Sequence, residues 1–251
     1  MAGIRQYVVL SEEAAIATAL WIFMAHLHHA QPDLFHVNPR LALLSPVMGC
    51  GKTTLLEVIG RLVPYALPTS NISPAAIFRV IEATGQVTLL IDELDSVKES
   101  SGHEELRGIL NSGQTRIAAF VIRNVGENHE PRRFSTWCPM VLASIGQLPS
   151  TLQDRSITIP LKRRGPSDRI TPIRRSKQAA EQAGRHLGSL ASEIARWVAD
   201  EGNKIGKVQP EAPTGLQDRA ADNWSPLLTV AETIGSPWGE KARQAALTLS
   251  G

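Results

Sequence analysis

Three apolar segments predict an α/β fold with a parallel β-sheet. Residues 41–44 are apolar and precede a glycine-rich turn, residues 87–91 end in two acidic residues, and residues 140–144 form a third apolar run. Continuous apolar runs of this length are typical of strands that are buried on both faces. Segments with helical periodicity lie between them, which is the alternation expected of an α/β protein.

The turn after the first predicted strand has the composition of a phosphate-binding loop. Gly49 and Gly51 lack a Cβ, so the backbone can curl tightly and direct its N–H groups toward a phosphate. The N-terminus of the helix that follows adds partial positive charge. Lys52 would contact the β- and γ-phosphates, and the Thr53 hydroxyl would coordinate Mg²⁺. The predicted nucleotide-binding residues of this loop are Gly49, Cys50, Gly51, Lys52, Thr53 and Thr54.

The loop departs at one position from the G-x-x-x-x-G-K-[ST] pattern, because Pro46 occupies the first glycine position. Proline fixes φ and removes one N–H. The phosphate donors come mainly from Gly49 onward, so we expect a reshaped loop entrance rather than an inactive site. Taken alone, the motif is equally compatible with a structural glycine turn, since G-K-T is short and common.

The acidic end of the second apolar run favours the nucleotide site. Asp92 and Glu93 follow residues 87–91, so we expect their carboxylates at the carboxyl edge of a strand adjacent to the loop-bearing strand. Asp92 would hold Mg²⁺, and Glu93 would orient or deprotonate the attacking water. An Asp-Glu pair favours ATP hydrolysis over transfer to a small-molecule acceptor.

Two further residues complete the predicted catalytic set. Ser144 ends the third apolar run, where it could contact the γ-phosphate or the attacking water. Arg155 lies between a short helical turn at 149–154 and a last strand at 156–160, a position suited to an arginine finger acting on a neighbouring subunit. Such a finger cannot easily reach its own loop, so this role predicts a homo-oligomer. The alternative is a surface ion pair between Asp154 and Arg155.

The remaining segments predict the domain organisation. Residues 1–165 would form an N-terminal helix, capped by Ser11, and the ATPase core. Residues 162–177 are basic and marked by Pro and Gly, which is typical of a linker, and we place the linker between the domains at 166–178. Residues 179–251 would form a small helical lid whose Arg219 or Arg196 reaches the nucleotide. Four histidines near the end of the first helix are weak metal candidates or ordinary helix-end residues: His26, His28, His29 and His36.

Composition limits the class of protein. The net charge is only +2, but residues 101–175 carry 12 basic and 6 acidic residues, which indicates either nucleic-acid contact or a solvated basic face. No apolar run is long enough for a membrane span and no secretory leader is visible, so we expect a soluble cytoplasmic protein. The two cysteines, Cys50 and Cys138, suggest neither a disulfide framework nor a metal site.

Residues 117–125 and 132–138 are rich in β-forming residues and flank a turn at 126–131, which predicts a hairpin with His129 near its tip. The hairpin is either a loop that contacts nucleic acid or a structural hairpin at the sheet edge.

The order of these elements resembles that of AAA+ P-loop ATPases. More closely, the chain resembles the family called domain of unknown function 3631, found in phages, plasmids and other mobile elements, often with primase-like modules. The resemblance implies a three-layer P-loop fold and a helicase-like ATPase core. The hairpin also resembles the DNA-gripping hairpin of viral superfamily-three helicases, which implicates His129, Arg132 and Arg133. The matching stretches are SPVMGCGKTTLLE, TLLIDELD, ELRGILNSG, FVIRNVGENHEPRRFSTWCPM, LPSTLQDRSITIPL and DRAADNWSPLL.

Two functions from different classes follow. The first is Mg²⁺-dependent ATP hydrolysis by an oligomeric ring that moves or remodels DNA, with a primase as a possible partner. The second is a nucleotide-controlled assembly module, for example in phage defence, that translocates nothing.

Overall fold

The computed structural model describes residues 1–70, 72–94 and 103–251. The helices are α1 (Ala2–Arg5), α2 (Glu12–Ala30), α3 (Lys52–Leu62), α4 (Pro74–Thr84), α5 (His103–Ser112), α6 (Ser150–Gln153), α7 (Lys177–Ile205), α8 (Asp218–Ile234) and α9 (Trp238–Ser250). The strands are β1 (Arg40–Ser45), β2 (Ala66–Thr69), β3 (Thr88–Ile91), β4 (Phe120–Val125), β5 (Glu130–Ser135), β6 (Met140–Ile145) and β7 (Ser156–Pro160).

The central sheet has five parallel strands in the order β2-β3-β6-β1-β7. The predicted α/β class with a parallel sheet is confirmed. The predicted neighbours are wrong, however, because β6 lies between β1 and the acidic strand β3. The register pairs Ser45 at the end of β1 with Ile145 at the end of β6, so the strands end along one common edge.

Side chains of each strand alternate between two hydrophobic clusters, one on each face of the sheet. In β1, Leu41 and Leu43 belong to the cluster with α2, α3 and the C-terminal helices, whereas Ala42 belongs to the cluster with α4 and α5. The molecule therefore has three layers, with the sheet in the middle.

Helix α2 is the centre of the larger cluster. The Ser11 hydroxyl accepts a hydrogen bond from the Ala14 N–H at 3.1 Å, as the capping pattern predicts. Helix α2 is buried on most of its surface. Helices α7, α8 and α9 pack on it, and α8 and α9 also contact β7. None of the described helices combines the length and hydrophobicity that a membrane span requires.

The C-terminal helices are therefore not a separate lid. Their buried residues share one cluster with α2 and β1, and α7 also packs on α3. The predicted boundary at 166–178 does not divide two hydrophobic cores. The last helix, α9, was not predicted as an element of its own.

The predicted hairpin is formed by β4 and β5, which pair with each other and not with the central sheet. Its turn contains Gly126 with φ 70° and His129 with φ 52°. Phe134 is buried against Phe78 of α4, with ring centroids 4.8 Å apart. The hairpin thus packs on the outside of the layer formed by α4 and α5.

The three histidines of α2 are buried, and His28 and His29 lie in its last turn. Among the described residues, no group of three or more His, Cys, Asp or Glu could hold a metal ion. The His26 Nε2–H donates to the Leu62 carbonyl at 2.7 Å. The Thr88 hydroxyl donates to the Pro64 carbonyl, so it accepts from the His29 Nε2–H at 2.9 Å. Burial lowers the pKa of His28 to about 3 and that of His29 to about 4.

These buried imidazoles predict an acid-sensitive fold. Between the unfolded pKa of 6.5 and the folded values of about 3 and 4, the unfolded chain binds protons that the folded chain does not. Stability is therefore complete above pH 6.5 and falls as the pH drops, by at most about 1.4 kcal/mol per pH unit for each histidine. Urea unfolding between pH 7 and 4 measures this slope.

The variant His28→Phe should have a smaller slope, whereas the exposed control His36→Gln should not differ from the parent. Equal slopes for His28→Phe and the parent would contradict this assignment.

Candidate nucleotide-binding site

The loops that follow β1, β3, β6 and β7 meet at the carboxyl edge of the sheet around a cavity of about 570 Å³. All predicted residues of the loop 49–54 line this cavity, together with Asp92 and Glu93. The cavity is also lined by Tyr7, Val8, Val9, Met48, Ile145, Lys162, Arg164 and Ile170.

The glycines of the loop have the conformation that the motif requires. Gly49 has φ 78° and Gly51 has φ 85°, values that side-chain-bearing residues adopt only at a cost. Gly51 is the N-cap of α3, and its carbonyl accepts the Leu55 N–H at 2.8 Å. Helix α3 begins at Lys52, so its first N–H groups and its dipole point into the cavity.

Thr53 and Asp92 are brought into contact from two different elements. The Thr53 hydroxyl donates to Asp92 Oδ2 at 3.0 Å. The other carboxylate oxygen of Asp92 accepts the Glu93 N–H at 2.9 Å. Glu93 has φ 57°, so the chain turns sharply as it leaves β3 and the exposed Glu93 side chain lines the cavity.

This donor set fits a Mg²⁺ ion. A hydroxyl and a carboxylate are hard oxygen ligands, and Mg²⁺ in nucleotide sites commonly takes only one or two protein ligands besides phosphates and water. Thr53 and Asp92 are the residues that would hold it. The last residue of the TLLIDELD stretch, Asp95, lies outside the described residues.

Several residues of the cavity wall were not predicted. The segment Tyr7–Val9 lies against the loop, since a Cβ on Gly51 would be 3.4 Å from Val8 Cγ1. It is held by a backbone hydrogen bond from Thr171 N to Gln6 O at 2.7 Å and by one between the Tyr7 hydroxyl and His186 Nδ1 at 2.9 Å.

Lys162 and Arg164 belong to a basic run that the composition assigned to the linker region. The run follows β7 directly, so in a parallel sheet it emerges at the same edge as the loop. Arg163 Nε donates to the Met48 carbonyl at 3.2 Å, which ties the run to the loop. The adjacency of a basic run to the end of the last strand was the signal that could have placed these residues.

The structure does not bring Ser144 to the cavity. Its side chain is fully buried, and its hydroxyl donates to the Ile145 carbonyl at 3.2 Å. Because side chains alternate along a strand, Ser144 faces the same side as Leu142, toward the cluster with α4 and α5. The residue of β6 that lines the cavity is Ile145.

Arg219, which was predicted to reach the nucleotide, does not line the cavity either. Arg219 pairs with Asp154 at 3.1 Å, just before β7 begins and so at the amino edge of the sheet. Five or six strand residues separate the two edges by about 15–20 Å. Arg196 pairs with Asp200 on its own helix.

Arg155 lies at this amino edge as well, and its backbone carbonyl accepts the Arg40 N–H at 3.1 Å. Its guanidinium donates to the Thr151 carbonyl at 2.8 Å. The alternative of an Asp154–Arg155 ion pair is not what the structure shows, because Asp154 pairs with Arg219. Arg155 is half-buried and far from the loop of its own chain.

The two neighbouring arginines of the hairpin lie on opposite faces. Arg132 forms an ion pair with Glu82 of α4. Arg133 lies over the ring of Phe120 at 3.6 Å from its centroid, on the outer face beside Ile122, whose exposed fraction is 58%. His129 is exposed at the turn.

Comparison with known proteins identifies relatives for part of the chain. Residues 160–251 match a family described as "Protein of unknown function (DUF3631)". The family resemblance was predicted over nearly the whole chain, and the family description matches its C-terminal part, residues 160–251. An uncharacterized 28.9 kDa protein in the xis 5' region of Saccharopolyspora erythraea is 36% identical over 89 residues, which cover 36% of this chain and 31% of that protein. This chain therefore spans less than a third of the curated relative's length.

Two solved structures are similar in outline. One is described as SCCmec type IV Cch, an active helicase, with 16% identity and a TM-score of 0.45 over 89% of this chain and 43% of that chain. The other is the JCV helicase, with 18% identity and a TM-score of 0.40 over 78% of this chain and 57% of that chain. Likenesses at this level carry no argument about activity.

The loop geometry predicts opposite effects of the same substitution at two glycines. Gly51→Ala places a Cβ at φ 85° and should lower the free energy of unfolding by about 1 kcal/mol or more. Gly188→Ala, in the interior of α7 with open space around the added Cβ, should raise it by about 0.5–1 kcal/mol. Urea unfolding of both variants measures the difference, and a stabilised Gly51→Ala would contradict the assigned conformation.

Proposed function

We propose that this protein is a Mg²⁺-dependent ATPase. The observation that carries the proposal is the hydrogen bond between Thr53 and Asp92, at 3.0 Å. It joins the end of the glycine loop to the end of β3 and so brings a pair of Mg²⁺-type ligands and the Glu93 carboxylate to one cavity. A glycine turn with a purely structural role does not require acidic residues of another strand at its side.

The cavity offers complementary surfaces for the parts of a nucleoside triphosphate. Lys52 and the N–H groups at the start of α3 bind the phosphates, and Lys162 and Arg164 add positive charge on the same side. Val8, Val9 and Ile170 form an apolar wall for the base.

Hydrolysis follows from the position of Glu93. Its backbone is held by Asp92 and its side chain lines the cavity, where it can orient water and accept its proton. Mg²⁺, when bound, would neutralise phosphate charge and polarise the bond that breaks. Arg155 would stabilise the developing negative charge in the site of an adjacent subunit, so the active form is a homo-oligomer.

We further propose that the hairpin contacts DNA and that the protein is a helicase-like motor of a mobile element. The outer face of the hairpin presents Arg133 stacked on Phe120, and His129 is exposed at the tip. A cation and an aromatic ring together suit phosphate and base contacts. The same proposal includes a primase as a partner of this motor.

Single substitutions separate nucleotide binding from hydrolysis. Lys52→Ala should abolish binding of a fluorescent ATP analogue, because the phosphates lose their main cation. Glu93→Gln should bind the analogue with the parental Kd and lose turnover by about 100-fold or more, because the proton acceptor is gone. Parental turnover of Glu93→Gln, measured as phosphate release, would remove Glu93 from the mechanism.

The two faces of the hairpin predict unequal effects on DNA binding. Arg133→Ala should weaken binding of a single-stranded oligonucleotide and reduce the salt slope of log K by roughly 0.7, the value for one phosphate contact with a single strand. Arg132→Ala is the matched control and should bind nearly as the parent does, because its guanidinium already pairs with Glu82.

A salt series of fluorescence anisotropy titrations measures both variants. If the parent hydrolyses ATP but DNA neither binds nor alters the rate, the motor is excluded and the nucleotide-controlled assembly module becomes the better description.

A further inference from the structure

Helix α8 carries a buried amide that joins two distant parts of the chain. Asn223 is only 3% exposed. Its Oδ1 accepts the Gln114 Nε2–H at 2.7 Å, and its Nδ2–H donates to the Asp154 backbone carbonyl at 3.0 Å. Both ends of this amide are therefore satisfied, one by each segment, and a buried amide fixes its partners because leaving either unpaired is unfavourable.

The first segment is the turn that carries Arg155. Asp154 is held twice by α8, through its carbonyl by Asn223 and through its carboxylate by Arg219 at 3.1 Å. Arg219 and Asn223 are one helical turn apart on α8 and thus lie on the same face. From the sheet side, Arg40 N–H donates to the carbonyl of Arg155 itself.

The second segment is the root of the hairpin. Gln114 is buried, and its carbonyl accepts the Asn38 N–H at 2.7 Å, just ahead of β1. Two residues later the chain forms the 3-10 turn Arg116–Ala118, which leads into β4. Gln114 thus lies at the root of the hairpin, where the Arg116 N–H also donates to the His36 carbonyl at 2.9 Å.

We infer that Asn223 is a positioning residue that couples the hairpin root to Arg155, with Arg219 as its support on the same helix. The inference rests on the proposed function, because it gives Arg155 a role in hydrolysis. A displacement of the hairpin root moves Gln114, and the amide of Asn223 transmits the movement to the Asp154 carbonyl beside Arg155.

The first measurement is kcat with the Kd of a fluorescent ATP analogue. Asn223→Ala should lower kcat by about 10- to 100-fold, the effect of roughly 1 Å of misplacement of a reacting group. Its Kd should stay parental, because the cavity lies at the other edge of the sheet. The matched control is Thr229→Val. Thr229 is a buried polar residue of the same helix, and its hydroxyl donates to the Ser225 carbonyl within that helix. It should retain the parental kcat.

Three further variants keep the inference testable if Asn223→Ala does not fold. Arg219 is a surface side chain, 44% exposed, so Arg219→Gln folds while losing the ion pair to Asp154. It should lower kcat with an unchanged Kd, and Arg219→Lys should restore most of the rate. Gln114→Met, which removes the donor to Asn223, should lower kcat in the same way.

The decisive measurement is a double-mutant cycle with Arg155→Ala. If Asn223 and Gln114 act through Arg155, adding either substitution to Arg155→Ala should cost little further rate. Multiplicative losses would overturn the inference, as would a parental kcat for both Asn223→Ala and Arg219→Gln.

The failure of the proposed function has a different signature. A parental protein that does not hydrolyse ATP refutes the ATPase, and a parental rate for Arg155→Ala refutes the arginine finger. Mixing Arg155→Ala with Lys52→Ala subunits should restore activity if the finger acts across an interface.

Discussion

The common direction of the five central strands determines where each functional side chain can act. In a parallel sheet, all carboxyl ends lie at one edge and all amino ends at the other. The loop 49–54, Asp92, Glu93 and the run 162–164 follow carboxyl ends, so they share a cavity although they are distant in sequence. Arg155 precedes an amino end and is excluded from that cavity by the length of the strands.

The cation Arg40 lies at the amino edge of the sheet. No described contact pairs it with a carboxylate. Arg40 is fully buried, and its guanidinium donates to the carbonyls of Leu110, Cys138 and Asn38. Burial lowers its pKa to about 10, so the group remains charged at neutral pH. A Cβ on Gly113 would lie 2.2 Å from Arg40 Nη2, so the glycine directly after α5 makes room for the cation.

The residues that meet around the loop were predicted from the sequence, and the order of the strands was not. The loop glycines, Lys52, Thr53, Asp92 and Glu93 could be placed together because each has a stereochemical signature within a few residues. Ser144 was predicted at the cavity, but the alternation of side chains along β6 turns it to the other face of the sheet. A continuous apolar run does not reveal which face each of its residues takes. Arg219 was misplaced because a helix far along the chain can pack at either edge of a sheet.

The fold class was accessible because the apolar runs are continuous, as buried parallel strands require. The strand order was not, since the position of β6 between β1 and β3 depends on contacts made by every layer. The C-terminal helices were taken for a lid because the linker is polar and Pro-rich. Only the packing on α2 reveals one shared core.

Placing the glycine loop and Arg155 at opposite ends of the strands has a consequence for symmetry. A two-fold dimer could use both surfaces at once, with the loop of each copy facing Arg155 of the other across about 15–20 Å. A head-to-tail contact instead leaves one loop and one Arg155 unused at its two ends, and only closure into a cycle or growth into a filament uses them all.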